Sequence, residues 1–431
     1  MSNQTEYDAI VIGGGPAGMM AAGRAAERQR SVLLVEKNDI LGRKLLISGK
    51  GRCNITNAGD INDYVANFGK SGLFLRNAFA RIFNKELIDF FEKHGIVLKT
   101  ERGKRVFPES DRSKDILDAL KKYLYEGKVS VLLLGEVKSI TVDKNGTKKV
   151  SLVVRHAHHA SNHAEQSRGT EGSEYTAGSI AICTGGLSYP RTGSTGFGFD
   201  MAARLGHKVV SPKPALVPLV TESGLPKKWQ GISLDNVKAA IVTGGRRKAE
   251  RFGDMLFTHF GLSGPIILDL SAEAYDLLEA KKDIAVSLNL KPALDAAKLD
   301  NRLLREFSKG PNRTLKNALT EMLPSKMVDG FIDYCNLTKD KKSHQITVDE
   351  RRRIAEGLTD LRFRITKTRP IEEAIVTRGG VDTKEINPQT MESKLVKGLF
   401  FAGEVIDVDA KTGGYNMQAA FSTGYLCGDN L

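Results

Sequence analysis

A glycine turn set between a buried strand and a helix constrains this chain more than any other feature. Tyr7-Asp8-Ala9-Ile10-Val11-Ile12 runs straight into Gly13-Gly14-Gly15-Pro16-Ala17-Gly18. Gly13 permits the tight turn, Gly15 lets the backbone approach a pyrophosphate, and Gly18 lets helix and strand pack closely. The pyrophosphate then lies on free N–H groups where Pro16 and Ala17 open the helix, at the positive end of its dipole. A second apolar run, Val32-Leu33-Leu34-Val35, ends in Glu36, eighteen residues after Gly18. A carboxylate there accepts from ribose hydroxyls and favours an unphosphorylated ribose, as in FAD or NAD, over NADP. A lone GxGxxG is weak. With strand, helix and acidic residue in register, it predicts a nucleotide site.

At 431 residues the chain can bury a substantial core and hold two or three domains. Its 41% hydrophobic and 27% charged residues are those of a soluble globular protein, and no apolar run is long enough to span a bilayer. Glu6 and Asp8 precede the first apolar stretch, which glycines and Pro16 interrupt, unlike a secretory signal. The four cysteines, Cys53, Cys183, Cys335 and Cys427, are scattered without Cys-x-x-Cys spacing. That argues against a zinc site or disulfide framework and for a cytoplasmic location. The 64 basic residues outnumber 51 acidic ones, leaving +13. Such an excess attracts polyanions, yet it serves solubility equally well.

Helical periodicity is expected over Leu73 to Phe83, Leu87 to Phe91, and Ile116 to Leu124, the last capped by Ser113. Strands follow at Val129 to Leu134, Val137 to Val142 and Val150 to Val154. The polar stretch His156 to Ser173 reads as a solvated hairpin tip, and its histidines (His156, His158, His159, His163) as loop and not as a metal site. Ser179 to Cys183 is an apolar strand ending in Thr184-Gly185-Gly186, a turn that should face a cofactor crevice. Thr192 to Gly198 reads as a connection, or as a phosphate or substrate loop, before a helix from Asp200 to Leu205. From Pro212 to about Leu290 short strands with prolines and glycines indicate a mostly β module. Residues 295–369 look helical and hold 17 basic and 11 acidic residues, a net of +6, including Lys341-Lys342 and Arg351-Arg352-Arg353.

The C-terminal segment separates FAD from a generic NAD domain. The strand Leu399-Phe400-Phe401-Ala402 ends in Gly403-Glu404, and with Asp407 it sets a carboxylate against a ribityl chain. Gly413-Gly414 then opens a helix at Tyr415-Asn416-Met417, whose N–H groups and dipole stabilise negative charge at the flavin N1/O2 edge. Further cofactor contacts are expected from Lys37 beside Glu36, from Arg43, Lys44, Arg52, Cys53 and Asn54 in a basic glycine loop, from Val137, and from Thr184, Gly185 and Gly186.

Three long segments carry a resemblance: Leu41-Gly42-Arg43-Lys44 through Ser48-Gly49-Lys50-Gly51-Arg52-Cys53-Asn54-Ile55-Thr56-Asn57, then Leu256-Phe257-Thr258-His259-Phe260-Gly261-Leu262-Ser263-Gly264-Pro265, then Gly413-Gly414-Tyr415-Asn416. Together they closely resemble the BaiN/YhiN-like flavoprotein family, which includes aminoacetone-oxidase-like members, over nearly the whole chain. The resemblance implies an α/β two-dinucleotide-fold flavoprotein with bound FAD, a β-rich insert and a small helical insert. Applied here, the expected architecture is a split Rossmann-like FAD-binding domain (1–190 and 370–431), an inserted mostly-β domain (191–294) and an inserted basic helical domain (295–369). Functions attributed within the family range from amine oxidation through bile-acid-pathway reduction to reduction of uridine to dihydrouridine in ribosomal RNA. One departure is Lys50, where the family usually has glycine; the backbone must there avoid positive φ or tolerate strain.

Cys53 reads either as a flavin-facing thiol or proton donor, its pKa lowered by Arg43, Lys44 and Arg52, or as a small packing residue beside the cofactor. His259 and Tyr415 are the other acid/base candidates. No second GxGxxG in strand-helix context is visible, so NAD(P)H would dock transiently as electron donor. The resulting expectation is an FAD-dependent oxidoreductase without a metal, driven by NAD(P)H. Its basic balance tilts the substrate toward uridine in ribosomal RNA. The alternatives are a small-molecule oxidase or reductase acting on an aminoketone or enone, and an FAD-stabilised RNA-binding protein without turnover.

Overall fold

Residues Ala9, Ile10 and Val11 carry no exposed surface, because the strand they form, Glu6–Ile12, is covered on both faces. Such a strand reads as a continuous apolar run, as parallel strands inside an α/β sheet do. A computed structural model describes residues 5–143, 146–154 and 172–431. The histidines expected in the hairpin tip lie outside the described residues. The chain divides into two compact units, Met1–Lys213 with Ile375–Leu431, and Pro214–Ala374.

In the first unit the parallel strands lie in the order Ser130–Leu132, Val32–Val35, Glu6–Ile12, Ser173–Ile182 and Leu399–Phe401. Ser173–Ile182 changes partner along its length. Its polar first half pairs antiparallel with Lys148–Val154, and its apolar second half pairs parallel with Leu399–Phe401. Gly135–Val142 completes the antiparallel flank. The chain ends therefore meet in one sheet, which is the split expected from the two signatures.

Two helices lie together against this sheet, Pro16–Glu27 and Tyr415–Asn430. Glycines at 424 and 428 bring them close: a Cβ on Gly424 would lie 2.3 Å from the Ala17 carbonyl oxygen, and one on Gly428 2.5 Å from that of Ala21. Other helices differ in their ends from the periodicity. Leu73 to Phe83 yields only Arg76–Arg81, and the helix expected from Asp200 starts earlier, at Phe197, behind the left-handed Gly196. Ser113 does not cap Ser113–Glu126; it is the first helical residue, and its hydroxyl donates to the Leu46 carbonyl at 2.7 Å.

The second unit is built on a closed six-stranded barrel. Around the ring run Leu219–Thr221, Gly261–Ser263, Arg246–Phe257, Ser233–Thr243, Ile284–Asn289 and Leu361–Thr368. The helix Pro265–Glu279 packs on all six strands, and Ala296–Ser308, Leu315–Leu319, Ser325–Tyr334 and Val348–Thr359 share the same core. The spans read as separate β and helical modules thus form one unit. Leu361, expected on a helix because it follows Leu358 by three, instead begins the strand that closes the barrel. Its period-two burial, with Leu361, Phe363 and Ile365 inside and Arg362 and Arg364 outside, is that of a half-buried strand.

Candidate flavin site

Four turns of the first unit gather beyond the carboxyl ends of its parallel strands, where an open α/β sheet holds its ligand. At Gly13, with φ at 106°, a side chain would strike the Cys183 carbonyl oxygen at 2.5 Å. A Cβ on Gly18 would lie 1.8 Å from the Gly13 carbonyl oxygen. Gly15 differs: a Cβ there would meet nothing within 4 Å. This open side adjoins the N–H groups that begin Pro16–Glu27, whose first turn holds no acidic residue.

Glu36 closes the turn from the next strand. Gly14 donates its N–H to Oε2 at 2.8 Å, and Asn38 donates to Oε1 from its backbone at 2.8 Å and from Nδ2 at 2.7 Å. Oε1 thus accepts twice, while Oε2 accepts once and keeps acceptor capacity for a ribose hydroxyl. Asn38, which the motif did not point to, also donates to Thr192 O at 3.1 Å, and Lys37 donates to Thr195 Oγ1 at 2.8 Å. The Thr192–Gly198 loop is therefore folded over this strand end. Gly185 and Gly186 border the same loop, with Gly196 donating to the Gly186 carbonyl at 3.2 Å. Val137 is buried two residues beyond Gly135, whose N–H donates to the Glu36 carbonyl at 3.0 Å.

At the other end of the crevice, Gly403 abuts Ala17 and carries Glu404. Lys44 Nζ reaches Glu404 Oε2 and Ser188 Oγ, both at 2.5 Å. Ser188 Oγ and the Thr377 N–H donate to Oε1 at 2.8 and 2.7 Å. Burial works to raise the Glu404 pKa, but the Lys44 ammonium and these donors outweigh it and hold the group below the usual carboxylate range. Ser188 and Thr377 belong to no motif; only the fold brings them here. Asp407 stands apart from this cluster. Burial pushes its pKa up, against a hydrogen bond from the Gly379 backbone.

The basic loop does not lower the Cys53 pKa. Arg43 pairs with Asp39 at 2.6 Å, Lys44 with Glu404, and Arg52 with Glu101 at 2.8 Å and Asp111 at 3.2 Å. The Arg52 guanidinium also lies 4.0 Å over the Phe107 ring. These carboxylates engage the cations, Cys53 is fully buried, and burial pushes its thiol up to about 12. Lys50 does not avoid positive φ: it sits at 60°, and Cys53 at 59°.

The head of the C-terminal helix meets the same loop. A Cβ on Gly414 would lie 2.3 Å from the Thr56 carbonyl oxygen and 2.9 Å from Asn54 Oδ1. Asn416 clamps the chain before the helix, accepting from Ala410 N and donating to Ala410 O, both at 2.9 Å. Met417 is half-buried beside it. The Tyr415 ring meets Tyr64 edge-on at 4.8 Å, and the Tyr64 hydroxyl is held by Thr56 and the Asn57 backbone. Gln418, unmarked by any motif, joins Thr56, Ser422 and the Ile82 carbonyl in a buried network. His259 lies in the second unit, in the turn after Arg246–Phe257, edge-on to Phe260 at 4.9 Å.

The residues present fit FAD. Gly15 leaves a cradle for a pyrophosphate, and Asn54 Oδ1 and Thr184 Oγ1 are buried without hydrogen-bond partners among the described residues. A flavin ring N–H would satisfy such an acceptor. Among the described residues no group of three or more His, Cys, Asp or Glu is placed to hold a metal ion, and no helix is long and apolar enough to cross a membrane.

Fold and site define an FAD-dependent oxidoreductase built on a dinucleotide-binding fold. The chain matches the HI0933-like protein Rossmann domain over residues 7–430 and belongs to that family. It is 33% identical to a ribosomal RNA dihydrouridine synthase of Escherichia coli over 428 residues, 99% of this chain and 98% of the relative. It is 28% identical to a 3-dehydro-bile acid delta(4,6)-reductase of Clostridium scindens, covering 97% of both chains. Among solved structures, the 3-ketosteroid delta1-dehydrogenase of Sterolibacterium denitrificans superposes with a TM-score of 0.53 at 13% identity, over 99% of both chains. The 3-ketosteroid-delta4-(5alpha)-dehydrogenase of Rhodococcus jostii gives 0.50 at 15%, over 99% of this chain and 97% of the other. These two likenesses concern the fold alone.

Proposed function

We propose that this protein reduces a carbon–carbon double bond conjugated to a carbonyl, with NAD(P)H as transient electron donor, and that its substrate is uridine in ribosomal RNA. The observation that carries this reading is the full-length similarity to a ribosomal RNA dihydrouridine synthase, at 33% identity. The net charge of +13 agrees with a polyanionic substrate. Overall, uridine, NAD(P)H and one proton give dihydrouridine and NAD(P)+. A hydride equivalent adds at uracil C6 and a proton at C5 as the C5=C6 bond is lost. Bound FAD supplies the hydride-transferring centre.

The protein's own residues bind, orient and protonate. Gly15, Pro16 and Ala17 would cradle the pyrophosphate in the turn that Gly13 and Gly18 shape, Glu36 would hold the ribose, and Glu404, fixed by Lys44, the ribityl chain. The N–H groups at Asn416 and Met417, at the positive end of their helix, would stabilise negative charge on a flavin ring bound there. A buried thiol with its pKa near 12 is a poor acid, so Cys53 serves as packing and Tyr415 as the proton donor.

An enone substrate is the second reading, favoured by the similarity to the bile acid reductase. Both substrates share the conjugated double bond, so one assay separates them. Purified enzyme with NAD(P)H should form dihydrouridine in ribosomal RNA transcripts and leave steroidal enones unreduced; the reverse outcome would replace the RNA reading. Tyr415→Phe should slow RNA reduction about 10²-fold or more while leaving flavin reduction by NAD(P)H unchanged. Equal loss of both steps would remove Tyr415 as proton donor.

A further inference from the structure

We propose that one rim of the barrel, carrying Arg246, Lys248, Lys281 and Lys282, docks the phosphate backbone of the RNA; this rests on the RNA reading above. Of the cationic run that stands out in the sequence, only Lys342 is exposed with no side-chain partner among the described residues. Lys341 pairs with Glu350 at 2.6 Å, Arg351 with Asp300 at 2.6 Å and Arg352 with Asp349 at 3.1 Å, while Arg353 donates to the carbonyls of Cys335 and Asn336. Charges so matched present little net field to a polyanion.

The barrel rim is different. Ser233–Thr243 and Arg246–Phe257 form a hairpin whose two turn residues, Gly244 and Gly245, have φ of 53° and 74°. Left-handed geometry at both positions is the two-residue hairpin turn that keeps the strand twist. It projects a tip with open space around it, since a Cβ on either glycine would meet nothing within 4 Å. The pairing register slips between Ile241 and Val242, so that Lys248 is the extra residue opposite them. A bulge of this kind re-aims side chains at a barrel rim. The tip is tied to a second turn: Thr243 Oγ1 donates to the Asp283 carbonyl at 2.8 Å, just after Lys281 and Lys282.

Four exposed cations are thus collected from two turns of one rim. Among the described residues no carboxylate lies within ion-pair distance of Arg246, Lys248, Lys281 or Lys282, whereas their neighbours Arg247 and Arg364 are matched by Glu250 and Asp283. Farther along the hairpin, Phe252 is 56% exposed and stands opposite Lys238. An exposed aromatic on the hairpin that carries unmatched cations suits single-stranded or looped RNA, whose bases stack on such rings.

The test replaces all four cations with glutamine and measures affinity for ribosomal RNA from a strain lacking this enzyme, across a salt series. Each lost phosphate contact lowers the log–log salt slope by roughly 0.7–0.9, so the fourfold variant should lose about 3 in slope and at least about tenfold in affinity near 100 mM salt. Its bound flavin and its NAD(P)H oxidation without RNA should match the parent. Lys281→Gln with Lys282→Gln alone should give about half the change in slope, and the matched-charge control Arg351→Gln with Arg352→Gln much less. If the parent binds RNA in a salt-dependent manner and the fourfold variant keeps its slope, the rim assignment is wrong and the RNA reading stands. If the control flattens the slope as much as the rim variant does, the rim assignment is also wrong. A parent without salt-dependent RNA binding overturns both.

Discussion

Gly15 and Gly18 stand three residues apart in one turn and answer to different constraints. Gly15 has open space where a Cβ would go, while one on Gly18 would collide with the Gly13 carbonyl oxygen at 1.8 Å. Gly15→Ala should therefore fold with near-parent stability and lose FAD, because the methyl occupies the pyrophosphate's approach. Gly18→Ala should cost roughly 3 kcal/mol or more, since the clash is with backbone. Thermal unfolding and flavin content of the two purified variants separate these effects; full flavin in Gly15→Ala would move the pyrophosphate elsewhere. The Lys44–Glu404 pair makes a second residue-scale claim. Glu404 is held below its ordinary value of 4.5. Its contribution to stability is therefore fully present above that pH and is lost as pH falls through the lower folded value. Lys44→Met leaves the part-buried carboxylate uncompensated and should destabilise the protein by about 2 kcal/mol at pH 7. The deficit should shrink toward pH 4, as Glu404 takes up a proton in the variant. Urea unfolding at the two pH values reads this out, and a deficit independent of pH would mean that Lys44 acts by packing.

Among the elements, the decisive contact is between the first helix and the last. Both begin at a glycine turn, and Gly424 and Gly428 let their backbones approach through Ala17 and Ala21. Gly424→Ala should lower the unfolding temperature by several degrees, at a cost of about 1–3 kcal/mol. It should also weaken flavin retention, because it displaces the two helix heads together. A variant with unchanged stability but lost flavin would contradict this coupling. The two helices, their strands and their glycine turns were legible in the sequence, because each pairs an apolar run with a glycine turn at fixed spacing. The barrel's closing strand was not, since Leu361 continues the spacing of the preceding helix while Arg362 and Arg364 look like its polar face. Nor were Ser188, Thr377 and Gln418, which carry no local signal and reach the site only through tertiary packing. Of the two readings of Cys53, the lowered pKa could not be weighed from the sequence for a related reason: it places Arg43, Lys44 and Arg52 near the thiol, but not the carboxylates that engage them.

At the scale of the molecule, a single sheet built from both ends of the chain carries the flavin site, and an inserted barrel with helices carries much of the surface charge. The two units divide the work in the proposed reaction. The first holds FAD and moves hydride and proton, and the second presents unmatched cations to a polyanion. The most direct test is nucleoside mass spectrometry of ribosomal RNA from a strain lacking this protein, with and without a plasmid copy. The account predicts that one dihydrouridine disappears from the RNA, returns with the parent gene, and does not return with Gly15→Ala. Ribosomal RNA with its full complement of dihydrouridine in the deletion strain would contradict it.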